Sequence, residues 1–279
     1  MYPTVYLNGR YLPKEQAALN VADLAILRGF GIFDYFRYAD RKPRFAEDHL
    51  DRFFRSAELL GLEMPTSREE LHAAVHELIK RNGEPEGGIR FVLTGGYSPD
   101  GYTPARPNLV AMAYPFTGPS AEQYERGVNV HLHHYERQLP QVKTIDYIEG
   151  VRIQPLLKAR GADYALYVDR DHNVRESDRS NFMIVRDGIL ITPKDDILHG
   201  ITRLHLLKLA RQLGIYTDER AVAVNEVKRA DEAIICSSTK GAMPITRIDG
   251  QPVGSGKPGP VTLKLMAAWE DYVASYNHG

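Results

Sequence analysis

The segment SNFMIVRDGILITP, residues 180–193, carries two apolar runs on either side of Arg186-Asp187-Gly188. A short turn containing Asp-Gly between two such runs predicts a β-hairpin. The surrounding sequence contains further apolar runs with the patterns of strands and helices. Strand-like runs occur at 127–136, 164–169 and 232–238, and helix-like runs occur at about 149–160, 203–214 and 260–276. These patterns predict a mixed, strand-rich domain in the second half of the chain.

The first 115 residues predict a different arrangement, with helices and strands segregated along the sequence. TVYLNGRYL contains the hairpin signal Asn8-Gly9, and two helix-like segments follow at 47–61 and 67–82, the second with a capping box at Ser67 and Glu70. The strand-like runs GIRFVLTGG and NLVAMAYPF come next. This order predicts a small α+β domain.

The segment PFTGPSAEQYE contains two prolines and a glycine and is the candidate linker. We therefore expect a small α+β domain over residues 1–118, a linker over 119–125, and a larger domain over 126–279.

Composition excludes several classes of protein. The 279 residues carry a net charge of -1, which argues against nucleic-acid binding because that affinity depends on excess Lys and Arg. The one cysteine, Cys236, excludes an internal disulfide and a multi-cysteine metal site. His131 and His133 share a strand face without a carboxylate at ligand spacing, so we expect no metal. No run suits a membrane helix and the N-terminus lacks a signal-peptide pattern, so we expect a cytoplasmic protein without membrane or nucleic-acid partners.

A few residues are candidates for chemistry. Lys143 lies among apolar residues, where lost hydration would lower its pKa and make it a nucleophile, although a solvated loop lysine has the same local pattern. Glu176 is placed to pair with a protonated ring nitrogen, or is a surface charge. Ile201 and Thr202 follow Gly200 at a helix start, which predicts an anion site or an ordinary helix cap. Arg52 is a candidate phosphate ligand or a solvated charge.

Taken together, the motifs resemble the class IV, fold-type IV transaminases that use pyridoxal phosphate, and most closely the D-amino-acid transaminases. The resemblance spans nearly the whole chain and includes the segments HLDRFFRSA, VKTIDYIEG, RESDRSNFMIV, ILHGITR and ICSSTKGAMPI. It implies a small α+β N-terminal domain, a larger C-terminal domain built around a β-barrel-like sheet that binds the cofactor, and a homodimer with its active site at the subunit interface.

The resemblance also implies roles for individual residues. Lys143 would hold pyridoxal phosphate as a Schiff base and then move the substrate proton, and Glu176 would pair with the pyridine nitrogen. Tyr147 would reach the phenolic oxygen of the cofactor, and Thr239 would face the substrate. The phosphate ligands would be Arg52, Ile201, Thr202 and Ser238.

The substrate carboxylate requires other groups. Bacillus-type D-amino-acid transaminases use a tyrosine, an arginine and a histidine, but the matching positions here are Phe33, Asp100 and Tyr102. We expect a replacement trap formed by three arginines, Arg28 from the neighbouring subunit, Arg90 and Arg179. The alternative for each is a structural ion pair with Asp34, Asp178 or Glu176.

Three activities share this scaffold. The motifs favour transfer of an amino group from a D-amino acid to a 2-oxo acid such as 2-oxoglutarate. A branched-chain L-amino-acid transaminase, an aminodeoxychorismate lyase and a non-catalytic relative that binds a phosphorylated metabolite are the alternatives.

Overall fold

The computed structural model describes residues 1–278 and divides the chain into two compact units. The first unit contains Met1–Thr117 and Val142–Tyr147, together with residues 276–278. The second contains Gly118–Gln141 and Ile148–Ser275.

The first unit is built on a six-stranded sheet with the strand order β2-β1-β6-β5-β3-β4. Its elements are β1 (Thr4–Leu7), β2 (Arg10–Pro13), α1 (Leu24–Arg28), β3 (Gly31–Ala39), β4 (Lys42–Pro43), α2 (Ala46–Leu60), α3 (Arg68–Asn82), β5 (Gly87–Thr94) and β6 (Leu109–Tyr114). Leu50 and Phe53 of α2 and Leu71 and Leu78 of α3 are buried in one core with residues of the sheet. The segregated α+β pattern expected from the sequence is confirmed.

Two local signals in this unit are confirmed. Asn8 and Gly9 both have positive φ, 48° and 84°, and join β1 to β2 as a two-residue hairpin turn. Ser67 and Glu70 form the reciprocal capping box at the start of α3.

The second unit is built on a ten-stranded sheet, within the described residues. Its elements are α4 (Ala121–Arg126), β7 (Val128–His134), α5 (Ile148–Arg152), α6 (Gln154–Ala159), β8 (Tyr164–Val168), β9 (Asn173–Ser177), β10 (Asn181–Arg186), β11 (Ile189–Thr192), α7 (Ile201–Gln212), β12 (Thr217–Glu219), β13 (Val222–Ala223), α8 (Val224–Val227), β14 (Glu232–Ser237), β15 (Gly241–Ile248), β16 (Gln251–Pro252) and α9 (Pro260–His278).

The large sheet closes on itself. The strands follow the order β10-β14-β15-β7-β8-β9, and β9 also pairs with β10 through Glu176 and Asn181. This last pairing completes a ring of strands, which confirms the barrel-like C-terminal sheet. The hairpin predicted at Arg186-Asp187-Gly188 is the β10–β11 connection.

The domain boundaries differ from the expected ones in two respects. Residues 119–125 do not form an irregular linker, because Ser120 and Gln123 make a capping box that starts α4 within the second unit. Residues 142–147 group with the first unit although they come after that helix. The reason is backbone pairing: Phe33 N donates to the Lys143 carbonyl at 2.9 Å, and Ile145 N donates to the Gly31 carbonyl at 3.0 Å.

The helices over residues 1–278 include none with the length and apolar character needed to cross a bilayer.

Candidate active site

Lys143 is held beside β3 of the first unit. Its carbonyl accepts the Phe33 N–H, and the next residue, Thr144, forms an isolated bridge with Ile32. Val142 is buried and Lys143 itself is half-buried. The backbone of the candidate nucleophile is therefore fixed by a sheet strand, which orients its side chain more precisely than a free loop would.

Three of the predicted site residues lie close to the Phe33 ring. Lys143 Nζ lies 4.6 Å from the ring centroid, and the Arg90 guanidinium carbon lies 5.2 Å from it. The Tyr147 ring meets Phe33 edge-on at 5.5 Å between centroids. Arg90 has no carboxylate partner within residues 1–278. A cation is thus available near the candidate Schiff-base lysine, on the same aromatic ring.

Arg52 is anchored by a buried carboxylate. Asp34, on β3, accepts hydrogen bonds from Arg52 Nε and Nη2, both at 2.8 Å. His49 Nδ1 lies 2.8 Å from Asp34 Oδ1. Burial opposes ionisation of Asp34, but Arg52 and His49 together outweigh it and hold the pKa of that carboxyl below its usual value. Arg52 therefore keeps Nη1 for another acceptor while its other two nitrogens bind Asp34.

Arg28 lies beside the 98–103 loop of the first unit, with its Nη2 3.8 Å from the position of a Cβ at Gly101. Arg28 is exposed at the end of α1, and its Nη1 donates to the Leu27 carbonyl at 2.9 Å. The Asp100 carboxylate accepts from Ser98 Oγ, the Tyr102 N–H, and both the N–H and the hydroxyl of Thr103. These bonds hold the pKa of Asp100 below its usual value and shape the loop. Tyr102 is exposed.

Glu176 lies in the second unit, at the β9–β10 pairing that closes the barrel-like sheet. Its carboxylate is buried, and Oε1 accepts from Arg137 Nη1 at 2.9 Å. Oε2 accepts from the Leu198 N–H at 3.1 Å and lies 3.4 Å from Asn181 Nδ2. These three donors favour the ionised carboxylate, which is the form needed to pair with a protonated ring nitrogen.

The start of α7 suits a phosphate. Gly200 occupies the N-cap position without a side-chain cap, so Thr202 does not cap the helix, and both Ile201 and Thr202 are buried. First-turn N–H groups have no partner within a helix and bind anions readily. A Cβ at residue 200 would lie 1.9 Å from Asn181 Oδ1, so this approach requires glycine.

The turn between β14 and β15 carries the other predicted ligands of this unit. Ser238 is half-buried and its hydroxyl has no partner within the described residues. The Thr239 hydroxyl lies 3.2 Å from Ser237 Oγ. A phosphorylated pyridine cofactor requires hydrogen-bond donors for its phosphate and a carboxylate for its ring nitrogen. The uncapped start of α7 and the Ser238 hydroxyl supply donors, and the buried Glu176 carboxylate supplies the acceptor. The residues present therefore fit pyridoxal phosphate.

Arg179 differs from the other two predicted arginines. Its Nε donates to Asp178 Oδ2 at 3.1 Å, although 57% of its side chain is exposed. The structural ion pair that sequence left open is therefore present for Arg179. Asp34 and Glu176 pair instead with Arg52 and Arg137.

Sequence reasoning missed several partners of the site residues. Arg137, Leu198 and Asn181 surround Glu176, and His49 accompanies Asp34. His49 is the first residue of the quoted segment HLDRFFRSA, and Asp34 was considered only as an ion-pair partner of other arginines, but only their burial distinguishes them from surface residues. Arg137 is 39 residues from Glu176, and no sequence spacing joins the two.

A family model described as amino-transferase class IV matches residues 31–248. The chain is a class IV aminotransferase. These enzymes depend on pyridoxal phosphate, which agrees with the donors described above. The aminotransferase is similar to a putative branched-chain-amino-acid aminotransferase of Methanocaldococcus jannaschii, with 30% identity covering 96% of this chain and 95% of the relative.

Other relatives carry different names. A D-alanine aminotransferase of Staphylococcus epidermidis is 32% identical, covering 98% of this chain and 99% of that one. The solved branched-chain aminotransferase of Thermoproteus uzoniensis with norvaline matches the aminotransferase with a TM-score of 0.90 at 29% identity, covering 99% and 96% of the two chains. Similarity therefore establishes the family, and the relatives include both substrate classes.

Proposed function

We propose that this aminotransferase moves the amino group of a D-amino acid to a 2-oxo acid such as 2-oxoglutarate. The observation that carries the proposal is the placement of Lys143 and Arg90 on the same Phe33 ring, at 4.6 Å and 5.2 Å. An amino acid needs a reactive nitrogen partner and a cation for its carboxylate. Both groups are present around one ring, and the cation has no protein carboxylate within residues 1–278 to neutralise it.

Each residue has a defined task in this proposal. Pyridoxal phosphate supplies the electron sink for the pair of electrons left when the substrate α-proton departs. Lys143 Nζ binds the cofactor, accepts that proton and returns it. Glu176 holds a proton on the pyridine nitrogen, and Tyr147 donates to the phenolic oxygen. The phosphate is bound by Arg52, Ile201, Thr202 and Ser238.

Substrate contacts form the second part of the proposal. Arg28, Arg90 and Arg179 bind the carboxylates of the substrate, Phe33 forms an apolar wall, and Thr239 faces the substrate from the β14–β15 turn. Arg90 and Arg28 lack carboxylate partners within the described residues, so substrate binding requires no protein ion pair to be broken at either. At Arg179 the pair with Asp178 engages Nε and leaves the Nη groups for substrate.

Support for the D-specific activity comes from the ILHGITR segment, from the spacing of Lys143 and Glu176, and from the D-alanine aminotransferase relatives. The branched-chain relatives and the high TM-score to a branched-chain enzyme favour L-amino acids as the second candidate. The residues named above do not by themselves separate the two activities. When the α-proton of either enantiomer faces Lys143, a D- and an L-amino acid differ in that the carboxylate and the side chain exchange places.

The deciding experiment is the visible spectrum of the holoenzyme without a 2-oxo acid acceptor. D-glutamate or D-alanine is added to one sample, and L-leucine or L-glutamate to another. We expect the cofactor band to fade with the D-amino acids only. Fading with the L-amino acids only would establish the second candidate. A purified protein that takes up no pyridoxal phosphate would instead support a non-catalytic relative, and a band that no amino acid changes would direct the test to aminodeoxychorismate.

The proposal includes a cytoplasmic homodimer in which Arg28 serves the partner's site. Around Arg28 the first unit exposes Val21, Ile26 and Leu27, which are large apolar side chains suited to a protein contact. Mixing Lys143→Ala subunits, which lack the catalytic lysine, with Arg28→Ala subunits, which bind substrate weakly, tests this arrangement at a low substrate concentration. If Arg28 acts across the interface, the hybrid dimer contains one intact site and regains activity. No recovery in a verified hybrid dimer would contradict it, and Lys143→Ala refolded alone is the control.

A further inference from the structure

Lys240 is a buried cation in the turn between β14 and β15 of the second unit. Only 7% of the residue is exposed. Its carbonyl accepts a hydrogen bond from the Tyr124 hydroxyl at 2.7 Å, and its N–H donates to the Ser237 carbonyl at 3.0 Å. These bonds fix the backbone from which the ammonium group extends.

The ammonium group contacts neutral side chains. Nζ donates to Ser180 Oγ at 3.1 Å and lies 4.6 Å from the centroid of the Tyr164 ring. Within residues 1–278 no carboxylate forms an ion pair with it. An ammonium group has three protons to donate, and one protein hydroxyl satisfies one of them.

The charges near Lys240 do not cancel. Arg179 lies near the same aromatic neighbour, with its guanidinium carbon 6.0 Å from the Tyr164 ring centroid. The nearby carboxylate of Asp178 accepts from Arg179 Nε and from Ser177 Oγ. Two cations therefore share one carboxylate. Burial, and next the charge of Arg179, lower the pKa of Lys240 to about 8.

A buried cation without an ion-paired carboxylate destabilises a folded protein, and ionisable groups in such surroundings cluster at functional sites. The missing partner is an anion that accepts hydrogen bonds from an ammonium group. The position of Lys240 in the turn limits which anion binds it. Ser238 and Thr239 directly precede Lys240, and we propose above that Ser238 binds the cofactor phosphate and that Thr239 faces the substrate.

We propose that the Lys240 ammonium group, together with Arg179, binds a carboxylate of the amino acid or 2-oxo acid substrate. This inference rests on the proposed function, since it takes the substrate to carry at least one carboxylate. Lys240 would then bind substrate carboxylates alongside Arg28, Arg90 and Arg179. The cofactor phosphate is the other anion with matching chemistry, and the experiment separates the two.

The test uses holoenzyme and two unreactive probes, the monocarboxylate propionate and the dicarboxylate glutarate. Dissociation constants are measured by calorimetry for the wild type, Lys240→Met and a matched control, Lys228→Met, which removes an exposed lysine. We expect at least a tenfold weaker constant for glutarate in Lys240→Met and no change in Lys228→Met. Pyridoxal phosphate affinity of the apoenzymes should stay within twofold.

The outcomes separate the possibilities. Weaker binding of both probes assigns Lys240 to the α-carboxylate, and weaker binding of glutarate alone assigns it to a distal carboxylate. Unchanged binding of both probes, or a loss confined to pyridoxal phosphate, overturns the proposal. Because the probes do not react, these results stand whether D- or L-amino acids are transaminated, so failure of the proposed function is recognised separately.

Thermal stability distinguishes a ligand-binding lysine from a structural one. Methionine fills similar volume without a charge, so Lys240→Met should melt at the same or a higher temperature than the wild type. A clear fall in melting temperature together with unchanged probe binding would assign Lys240 to the support of Ser180 and overturn the proposal.

The pH dependence of glutarate binding gives a third readout. Wild-type binding should weaken as the pH rises through about 8, the pKa of Lys240, and Lys240→Met should lack this step. The other groups facing Lys240 are Asp178, Arg179, Cys236 and Tyr164. Burial raises the pKa of both Cys236 and Tyr164, which moves their titration further above this window. An identical step in the variant would overturn the assignment.

Discussion

Asp34 binds Arg52 through both of its carboxylate oxygens: Nε donates to Oδ2 and Nη2 donates to Oδ1, each at 2.8 Å. The carboxylate is fully buried, and only 11% of the Arg52 side chain is exposed. A planar guanidinium held at two points has one orientation, which directs its remaining nitrogen. The candidate phosphate ligand is therefore positioned by a second residue with no sequence motif of its own.

Replacing Asp34 with Asn should strongly destabilise the first unit. Asparagine leaves the buried Arg52 cation without a counter-charge, and breaking a buried pair in this way costs about 3–5 kcal/mol. Urea unfolding of the two proteins measures the loss. The control is Asp51→Asn, which breaks an exposed pair with Arg68 and should cost about 1 kcal/mol or less. Equal losses in the two variants would contradict the buried-anchor interpretation.

His49 should make stability fall as the pH drops from 7 to 5. Burial lowers the pKa of His49, and Asp34 offsets this only in part, so the folded state keeps the ring neutral. Below the ordinary histidine pKa the unfolded chain takes up a proton that the folded chain does not, which weakens folding by at most about 1.4 kcal/mol per pH unit. The melting temperature of His49→Gln should therefore depend less on pH over this range. His72→Gln, at a half-buried position where 38% of the side chain is exposed, should keep the wild-type slope, and a parallel slope for His49→Gln would refute the prediction.

Arg90→Met should weaken substrate binding without removing the cofactor. A bidentate contact between arginine and carboxylate is lost, and we expect about a 10- to 100-fold higher apparent dissociation constant, equivalent to about 1.4–2.8 kcal/mol. The amino-acid concentration dependence of the first half-reaction measures it. Arg10→Met removes an exposed arginine of the same unit and should have no effect. Unchanged binding in Arg90→Met would exclude Arg90 from the carboxylate site.

Arg137→Met tests the environment of Glu176. The Glu176 carboxylate would keep the Leu198 N–H but lose the charge-assisted bond from Arg137, at a cost of about 1.5–3 kcal/mol. We expect a lower melting temperature and weaker retention of pyridoxal phosphate. Arg170→Met removes a mostly exposed pair with Glu136 and should change neither quantity measurably. A wild-type melting temperature in Arg137→Met would show that the Leu198 N–H and the Asn181 amide suffice to stabilise the Glu176 carboxylate.

Local turns and caps were predictable because the interactions that form them span few residues. Asn8-Gly9 adopts positive φ with little strain, and the capping box of Ser67 and Glu70 uses groups three residues apart. A capping box also explains why the structure differs from the linker expected over residues 119–125. Ser120 and Gln123 start a helix in the expected linker, a signal that the neighbouring prolines obscured.

The site was predictable only in part. Resemblance indicated Lys143, Glu176, Arg52 and Thr202, since their motifs keep a recognisable order along the chain. Their partners had no such signal, because Arg137 and Glu176 are 39 residues apart and Lys240 and Ser180 are 60 residues apart.

By itself, the sequence determined the family, the pyridoxal phosphate requirement, the α+β and barrel-like units, and the short-range turns. These depend on residue order and on interactions within a few residues of chain. Tertiary structure alone decided that residues 142–147 pair with β3, that Glu176 lies at the closure of the ring of strands, and that Lys240 is buried without a counter-charge among the described residues. The physical reason is that burial and ion pairing depend on which distant segments meet, and a charged residue has the same local sequence whether it is solvated or enclosed.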